Sequence, residues 1–354
     1  MEIWFLVYYL AWTAAVLLLL WVSDIERFRN KILSRASLFG SLLIFSFDSY
    51  FRGNRGRDTQ AYRDHYLFIS ENAGLMPDQG PYDFEVGYLY LSFIFGRLGF
   101  SFEWFSFFIS AFSFVAICFM AYAFRVTRTK LFALVILSGF VFFSYNGLRQ
   151  WLALLLFYLG VSFFYSQRKR FLVIIYWLGS VAFHLSSVVA LATAVGFRAI
   201  SRLDRLSTLL VYLISIPALV LIFYLSLDVL TGLLGYKVYL QRINILDYSG
   251  LGFGWLAQTL LNCLLVVVLV IKRDKFGLLE YLAIMWVFLY LLSPGDQSIM
   301  RLAVYFSFAQ ILVFSRVDYF RDTFSLFVSI SYFGLMSLQF VAAILFNAHG
   351  AILG

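Results

Sequence analysis

The chain has 354 residues, of which 62% are apolar, 21% aromatic and 13% charged, with a formal net charge of +8. A soluble domain has about 45–50% apolar and about 25% charged residues, so composition excludes an ordinary cytosolic enzyme, a disordered protein and a disulfide-stapled secreted domain. At roughly 20 residues per crossing, about a dozen membrane helices would use about 240 residues. Loops take most of the remainder, which leaves no room for a soluble catalytic domain.

Apolar runs that end at basic clusters or turn residues predict spans near 3–22, 36–51, 104–125, 131–145, 148–166, 171–184, 186–197, 208–227, 254–271, 278–293, 299–315 and 324–346. The expectation is an all-α polytopic membrane protein with about 11–12 transmembrane helices. The first run, Ile3 to Val22, lacks a basic flank and a clear cleavage site and reads as an uncleaved span rather than a signal peptide. Val86–Phe100 is only 15 residues, about 22 Å as a helix and short of the roughly 30 Å hydrocarbon core. It is expected to be interfacial or re-entrant. The pair 171–184 and 186–197 is either one long helix or a helical hairpin broken near His184.

Charge placement favours the hairpin. The short connections around Arg27–Arg35, Arg125–Lys130, Arg168–Arg170, Arg198–Arg205, Lys272–Lys275 and Arg316–Arg321 carry 18 basic side chains against six acidic ones. Cytoplasmic loops are enriched in Lys and Arg, so these connections are assigned to the cytoplasmic side and the N-terminus to the outside. The net charge is therefore an orientation signal, and nucleic acid is not expected as a partner. The parity holds only if 86–100 does not cross and the chain turns back near His184. The whole chain, 1–354, reads as a single transmembrane domain with two long outer loops, 52–103 (which holds the interfacial helix) and 228–253. Loops of this length are more often functional than idle.

Chemistry-bearing residues concentrate on that outer side. The first loop contains Arg57, Asp58, Tyr62, Glu85 and Tyr88. A carboxylate at the membrane surface can accept a proton from a sugar hydroxyl, and Arg can clamp phosphate with two parallel hydrogen bonds. Arg149, followed by Gln150, opens a span at an outer helix junction. Arg at a span centre costs about 2.5–3.5 kcal/mol on insertion scales, and no acidic neighbour in sequence offers to neutralise it. His184 interrupts an apolar run where a neutral imidazole can bind or shuttle a proton. Arg301 stands near the start of a span, where a helix N-terminus already favours anions. The second loop holds Tyr236, Tyr239 and Arg242. No His has a metal-ligand partner at i+3 or i+4, and Cys118 and Cys263 sit in separate apolar runs, so neither a metal site nor a disulfide is expected. Aromatic faces, arginines and carboxylates on one side of a membrane body suit a lipid-pyrophosphate-linked saccharide.

In order along residues 50–310 stand Gly56-Arg57-Asp58-x-x-x-Tyr62, Glu85-x-Gly87-Tyr88, Leu148-Arg149-Gln150, Phe183-His184-x-Ser186, Tyr236-x-x-Tyr239 and Arg301-x-x-x-Tyr305-Phe306. This series resembles the EpsG-type family, a branch of the Wzy-like O-antigen and exopolysaccharide polymerases. The acid-bearing first outer loop also looks like that of GT-C glycosyltransferases. The resemblance implies a bacterial inner-membrane polymerase whose site faces the periplasm or cell exterior. It would move a growing glycan from undecaprenyl pyrophosphate to the next lipid-linked repeat unit, with no cofactor, nucleotide sugar or metal, and with a chain-length regulator and flippase as partners. Within that expectation Asp58 is the favoured base, His184 its rival and Glu85 a sugar-positioning acid. Arg149, Arg301 and Arg242 would stabilise the departing pyrophosphate, and Arg57, Tyr62, Tyr88, Gln150, Tyr236, Tyr239 and Tyr305 would line the substrate. The alternatives are another polyprenyl-phosphate-dependent transferase or ligase on the outer face, or a lipid-linked oligosaccharide flippase.

Overall fold

The computed structural model describes residues 2–27, 29–51, 58–72, 80–141, 144, 147–165, 170–200, 253–272, 277–292, 297–317 and 323–347. The expected span 208–227 and, apart from Phe253, the second loop 228–253 lie outside the described residues. Every regular element among them is a helix: α1 Glu2–Ile25, α2 Lys31–Phe51, α3 Thr59–Glu71, α4 Val86–Arg97, α5 Phe102–Ala123, α6 Arg128–Leu137, α7 Leu148–Tyr165, α8 Arg170–Phe183, α9 Ser187–Ile200, α10 Phe253–Lys272, α11 Leu278–Leu292, α12 Gln297–Ser315 and α13 Thr323–Asn347. Leu6–Ile25, Lys31–Phe51, Phe102–Ala123 and Leu148–Tyr165 are long and apolar enough to cross a membrane, and six shorter apolar helices accompany them. The protein is an all-α, multi-pass membrane protein.

Three local features refine the sequence reading. The expected span 131–145 is not continuous: α6 stops at Leu137, and Gly139 adopts a left-handed φ of +79°. That conformation is open to glycine and ends a helix by returning amides to the last carbonyls, here Ser138 to Leu134 and Gly139 to Ile136. The chain between 171 and 197 is a helix pair broken at His184, not one long helix. The segment 86–100 contains only the 12-residue α4, about 18 Å long and too short to cross as a straight helix.

The chain forms two compact units, residues 1–187 with 336–354, and residues 188–335. In the first, α1 and α2 pair as a hairpin. Ser23 Oγ donates to the Ser34 carbonyl (2.7 Å) and Ser34 Oγ to that of Ser23 (2.9 Å), a reciprocal lock of small polar residues that lets two membrane helices approach closely. Asp24, beyond this lock, accepts from Arg128 Nε (2.7 Å), from the Thr129 amide (3.0 Å) and from the Thr129 hydroxyl (2.8 Å). It thereby neutralises a basic connection and satisfies an orphan amide at the start of α6.

Helices α7 and α8 pack antiparallel. Gly160 makes room for Trp177, whose Nε1 donates to the Phe157 carbonyl (3.2 Å), and Ser180 Oγ donates to the Ala153 carbonyl (2.6 Å). One turn further, four residues on from Ser180 and four back from Ala153, this register sets His184 opposite Arg149. In the second unit, α10 and α12 are joined by amides: Gln258 Nε2 reaches Gln310 Oε1 (3.2 Å), and Gln310 Nε2 reaches Asn262 Oδ1 (3.3 Å). Glu280 accepts from the Gly277 amide (3.1 Å) and from Arg316 (3.3 Å), tying the start of α11 to the end of α12.

Candidate active site

The site is built on an aromatic base within the first unit. Tyr62 and Tyr66 of α3, Tyr88 of α4, Phe102, Phe105 and Ile109 of α5, and Leu148 and Leu152 of α7 form one buried cluster. Aromatic pairs of this kind contribute about 0.5–1.5 kcal/mol each beyond the area they bury. Its polar handles stitch the short helices to their neighbours. Tyr66 Oη donates to the Phe100 carbonyl (2.8 Å), Tyr88 Oη to the Tyr62 carbonyl (3.0 Å), and Arg63 pairs with Glu103 (3.0 Å). The 13-residue α3 falls within the long outer loop expected over 52–103. Its buried positions, Thr59, Tyr62, His65, Tyr66 and Ile69, nevertheless follow helical spacing along a polar segment.

Glu85 is the N-cap of α4. Its backbone is extended (φ −66°, ψ 149°), and its carbonyl accepts from the Tyr88 and Leu89 amides. The side chain makes no capping bond and reaches toward α7 and α8. Arg149 Nη1 donates to Glu85 Oε2, and His184 Nδ1 meets Glu85 Oε1. One carboxylate therefore joins two residues 64 and 99 positions away. The three side chains are 14%, 20% and 18% exposed for Glu85, Arg149 and His184. They are desolvated enough for strong electrostatics yet still reachable from solution.

Glycine places the acid. A Cβ on Gly87 would lie 2.8 Å from the Ala182 carbonyl oxygen and 3.0 Å from the Phe183 ring. Only a residue without a side chain lets the first turn of α4 sit against the last turn of α8, and that contact carries Glu85 to His184. Aromatic faces hold the arginine from the other side, with its guanidinium carbon 4.4 Å from the Phe84 ring centroid and 5.8 Å from that of Tyr62. Such cation–π contacts are worth about 0.5–2 kcal/mol. Burial pushes the Tyr62 hydroxyl above its ordinary pKa, the Arg149 charge opposes that rise and the Asp58 charge adds to it.

His65 is a member of this wall that sequence reasoning weighed only as a metal ligand. It is fully buried, and its ring packs on Phe84 (5.0 Å) and Tyr88 (6.0 Å). Neither ring nitrogen has a partner among the described residues. Burial first, and then the Arg149 charge, hold its pKa below the ordinary histidine value.

The structure thus brings together Glu85, Arg149, His184 and Tyr62, with Tyr88 as a strut beneath them. Asp58 stands apart, half-buried at the start of α3 with no side-chain capping bond. Its field reaches Tyr62, and it is not bonded to the three-residue cluster. Gln150 is buried on α7, and Tyr305 is fully buried on α12 in the second unit. The backbone of Arg301 lies in α12, while its side chain, with Arg57, Tyr236, Tyr239 and Arg242, lies outside the described residues. Glu85, seated against both partners, supplies the neutralising acid that Arg149 lacks in its own sequence neighbourhood.

A dyad of imidazole and carboxylate can take and return a proton, because a carboxylate on Nδ1 fixes the tautomer and raises the basicity of Nε2. An arginine beside it can stabilise negative charge on a leaving oxyanion. Among families of known proteins, the EpsG family matches residues 35–353. No curated protein and no solved structure matches the chain.

Proposed function

We propose that this chain, which belongs to the EpsG family of polymerase-like membrane glycosyltransferases, elongates a polysaccharide at the outer face of the bacterial inner membrane. In this reading the Glu85–Arg149–His184 cluster is the reaction centre. The donor is the growing glycan on undecaprenyl pyrophosphate, and the acceptor is the sugar of the next lipid-linked repeat unit. His184, oriented by Glu85 through Nδ1, takes the proton of the acceptor hydroxyl at Nε2. The acceptor oxygen forms a bond to the donor's anomeric carbon as the bond from that carbon to the pyrophosphate oxygen breaks. The electron pair leaves with undecaprenyl pyrophosphate, and Arg149 is placed to meet the charge that develops there. Asp58, at the start of α3, serves the acceptor sugar rather than the proton transfer, so the base is His184, the rival expected from sequence, and Glu85 orients that base instead of positioning the sugar.

The observation that supports this reading is the convergence of Glu85, Arg149 and His184 from three separate helix ends onto one carboxylate. Orientation rests on the basic connections, which assign the start of α7 and the break at His184 to the side opposite the Lys- and Arg-rich loops. A chain-length regulator and a flippase are the partners such a reaction needs, to set product length and to deliver substrate.

The test uses purified protein with a synthetic polyprenyl-pyrophosphate repeat unit and no nucleotide sugar. A ladder spaced by one repeat unit, lost in His184→Ala and Glu85→Gln and retained in part by Asp58→Asn, is the expected result. A ladder that survives His184→Ala but not Asp58→Asn returns the proton transfer to Asp58. No ladder from the cognate unit would remove the polymerase reading.

A further inference from the structure

The segment Gly80-Pro81-Tyr82-Asp83-Phe84 immediately precedes Glu85. It is seated at both ends. At one end a Cβ on Gly80 would stand 2.1 Å from His65 Cε1 and 2.3 Å from Nδ1, so the backbone lies directly on that buried ring. At the other end Phe84 packs on His65 (5.0 Å), Tyr62 (5.3 Å) and Tyr88 (5.0 Å), and the Arg149 guanidinium rests over its ring. Between them the Phe84 amide donates to the Tyr82 carbonyl (3.1 Å), which closes a three-residue turn centred on Asp83. The turn sets the Tyr82 ring alongside the Phe84 ring, 5.6 Å between centroids and 14° from parallel.

Tyr82 differs from the tyrosines beneath it in exposure. Tyr62 and Tyr88 are 3% and 0% exposed, whereas Tyr82 keeps 39% of its surface in solution. Among the described residues, Phe84 is the one ring that Tyr82 touches. Asp83 is exposed as well, and its carboxylate makes no hydrogen bond or ion pair among the described residues. A single exposed tyrosine is ordinary on a protein surface. Here it is the outer member of a continuous stack, Tyr82 on Phe84 and Phe84 on Arg149, that leads from solution to the reaction centre.

We propose that Tyr82 and Asp83 form a sugar-binding subsite beside the reaction centre, for one sugar ring of the lipid-linked glycan. The proposal rests on the reading of Glu85, Arg149 and His184 as that centre. A sugar ring has a face of C–H groups and a rim of hydroxyls. The C–H groups carry partial positive charge and pack on the electron-rich face of an aromatic ring. The hydroxyls donate to a carboxylate, and hydrogen bonds to an ionised acceptor are the stronger kind. Tyr82 supplies the ring and Asp83 the acceptor. Phe84 touches both Tyr82 and Arg149, so a sugar held on Tyr82 stands two contacts away from the arginine that meets the pyrophosphate. Seating the segment on His65 and Phe84 fixes it before the sugar arrives, which leaves little ordering to oppose binding.

The experiment titrates purified full-length protein with the free repeat-unit oligosaccharide, cut from the synthetic lipid-linked unit at its pyrophosphate, and reads the heat of binding. Wild type should bind saturably. Tyr82→Ala should weaken binding about tenfold, the scale of one aromatic contact, Tyr82→Phe should bind as wild type because the ring rather than the hydroxyl is used, and Asp83→Asn should weaken binding several-fold. In the ladder assay Tyr82→Ala should raise KM for the lipid-linked unit with kcat held, the mark of lost binding rather than lost chemistry. Shorter products in that variant assign the held sugar to the growing glycan, and unchanged lengths assign it to the acceptor. Wild type that does not bind the oligosaccharide, Tyr82→Ala that binds as wild type, or Tyr82→Phe as weak as Tyr82→Ala overturns the proposal. Binding that depends on Tyr82 in a protein that forms no ladder keeps the subsite and removes the polymerase reading. A ladder with KM indifferent to Tyr82→Ala does the reverse.

Discussion

Replacing Gly87 by alanine tests whether the contact between α4 and α8 sets the reaction centre. The added Cβ would stand 2.8 Å from the Ala182 carbonyl oxygen and 2.9 Å from its carbon. Ordinary contact begins at 3.4 Å, and the obstacle is backbone rather than a mobile side-chain tip. The two helix ends must then separate by about half an ångström, with an overpacking cost of about 1–3 kcal/mol. Glu85 lies two residues before Gly87 and His184 two after Ala182, so the displacement falls on their contact. A misplacement of about 1 Å at a reacting centre costs about 10²-fold in rate, so half of that predicts about a tenfold loss. The assay is the rate of ladder formation at equal abundance of folded protein. Gly179→Ala on α8 is the matched control, because its Cβ would meet Leu156 at an ordinary 3.5 Å. If Gly87→Ala polymerises within twofold of wild type while remaining folded, the glycine does not position Glu85 and the reasoning fails.

Further outcomes follow from the same geometry. Glu85→Gln keeps the size of the side chain and removes the charge that Arg149 and His184 share, so ladder formation should fall about 10²–10⁴-fold, the usual cost of disabling acid–base catalysis. Arg149→Lys cannot reproduce a planar fork stacked on Phe84, and full activity in that variant would show that a point charge suffices. Burial depresses the His65 pKa, so the unfolded chain binds more protons than the folded one below its own value of about 6.5. Stability should be complete above that pH and decline as pH falls from about 6.5 toward the lower folded value. Thermal unfolding of His65→Leu should lose this part of the pH dependence, and an unchanged profile would refute the assignment. Asp24→Ala should lower stability by about 1–3 kcal/mol, since it strips both an ion pair and an amide partner from the start of α6, with chemical denaturation as the check.

Much of this protein is legible without coordinates because membrane insertion acts on local sequence. An apolar run of about 20 residues must be helical in lipid, where every backbone amide needs an internal partner. Basic clusters mark the connections, and the parity they impose places the break at His184 that the structure contains. The six ordered motifs carry the family, which matches residues 35–353. Those motifs also hold Glu85, Gly87, Arg149 and His184, so the relevant side chains are visible in sequence as residue types. Helix α3 was missed because its apolar positions are diluted by Gln60, Arg63, Asp64 and His65. Its buried face becomes evident only when Tyr62 and Tyr66 have partners on α4 and α5.

Tertiary structure decided who meets whom. Nothing in the sequence near Arg149 points to Glu85, 64 residues earlier, or near Glu85 to His184, 99 residues later. The α7–α8 register, held by Trp177 and Ser180, sets His184 across from Arg149, and the missing side chain of Gly87 admits Glu85 between them. The same packing leaves Asp58, the base that the sequence favours, outside the cluster. Local hydropathy dictates where a helix forms, because each backbone group answers to its immediate neighbours. Which carboxylate shares a site with which cation depends on helix–helix contacts between distant segments, and those exist only once the chain has packed.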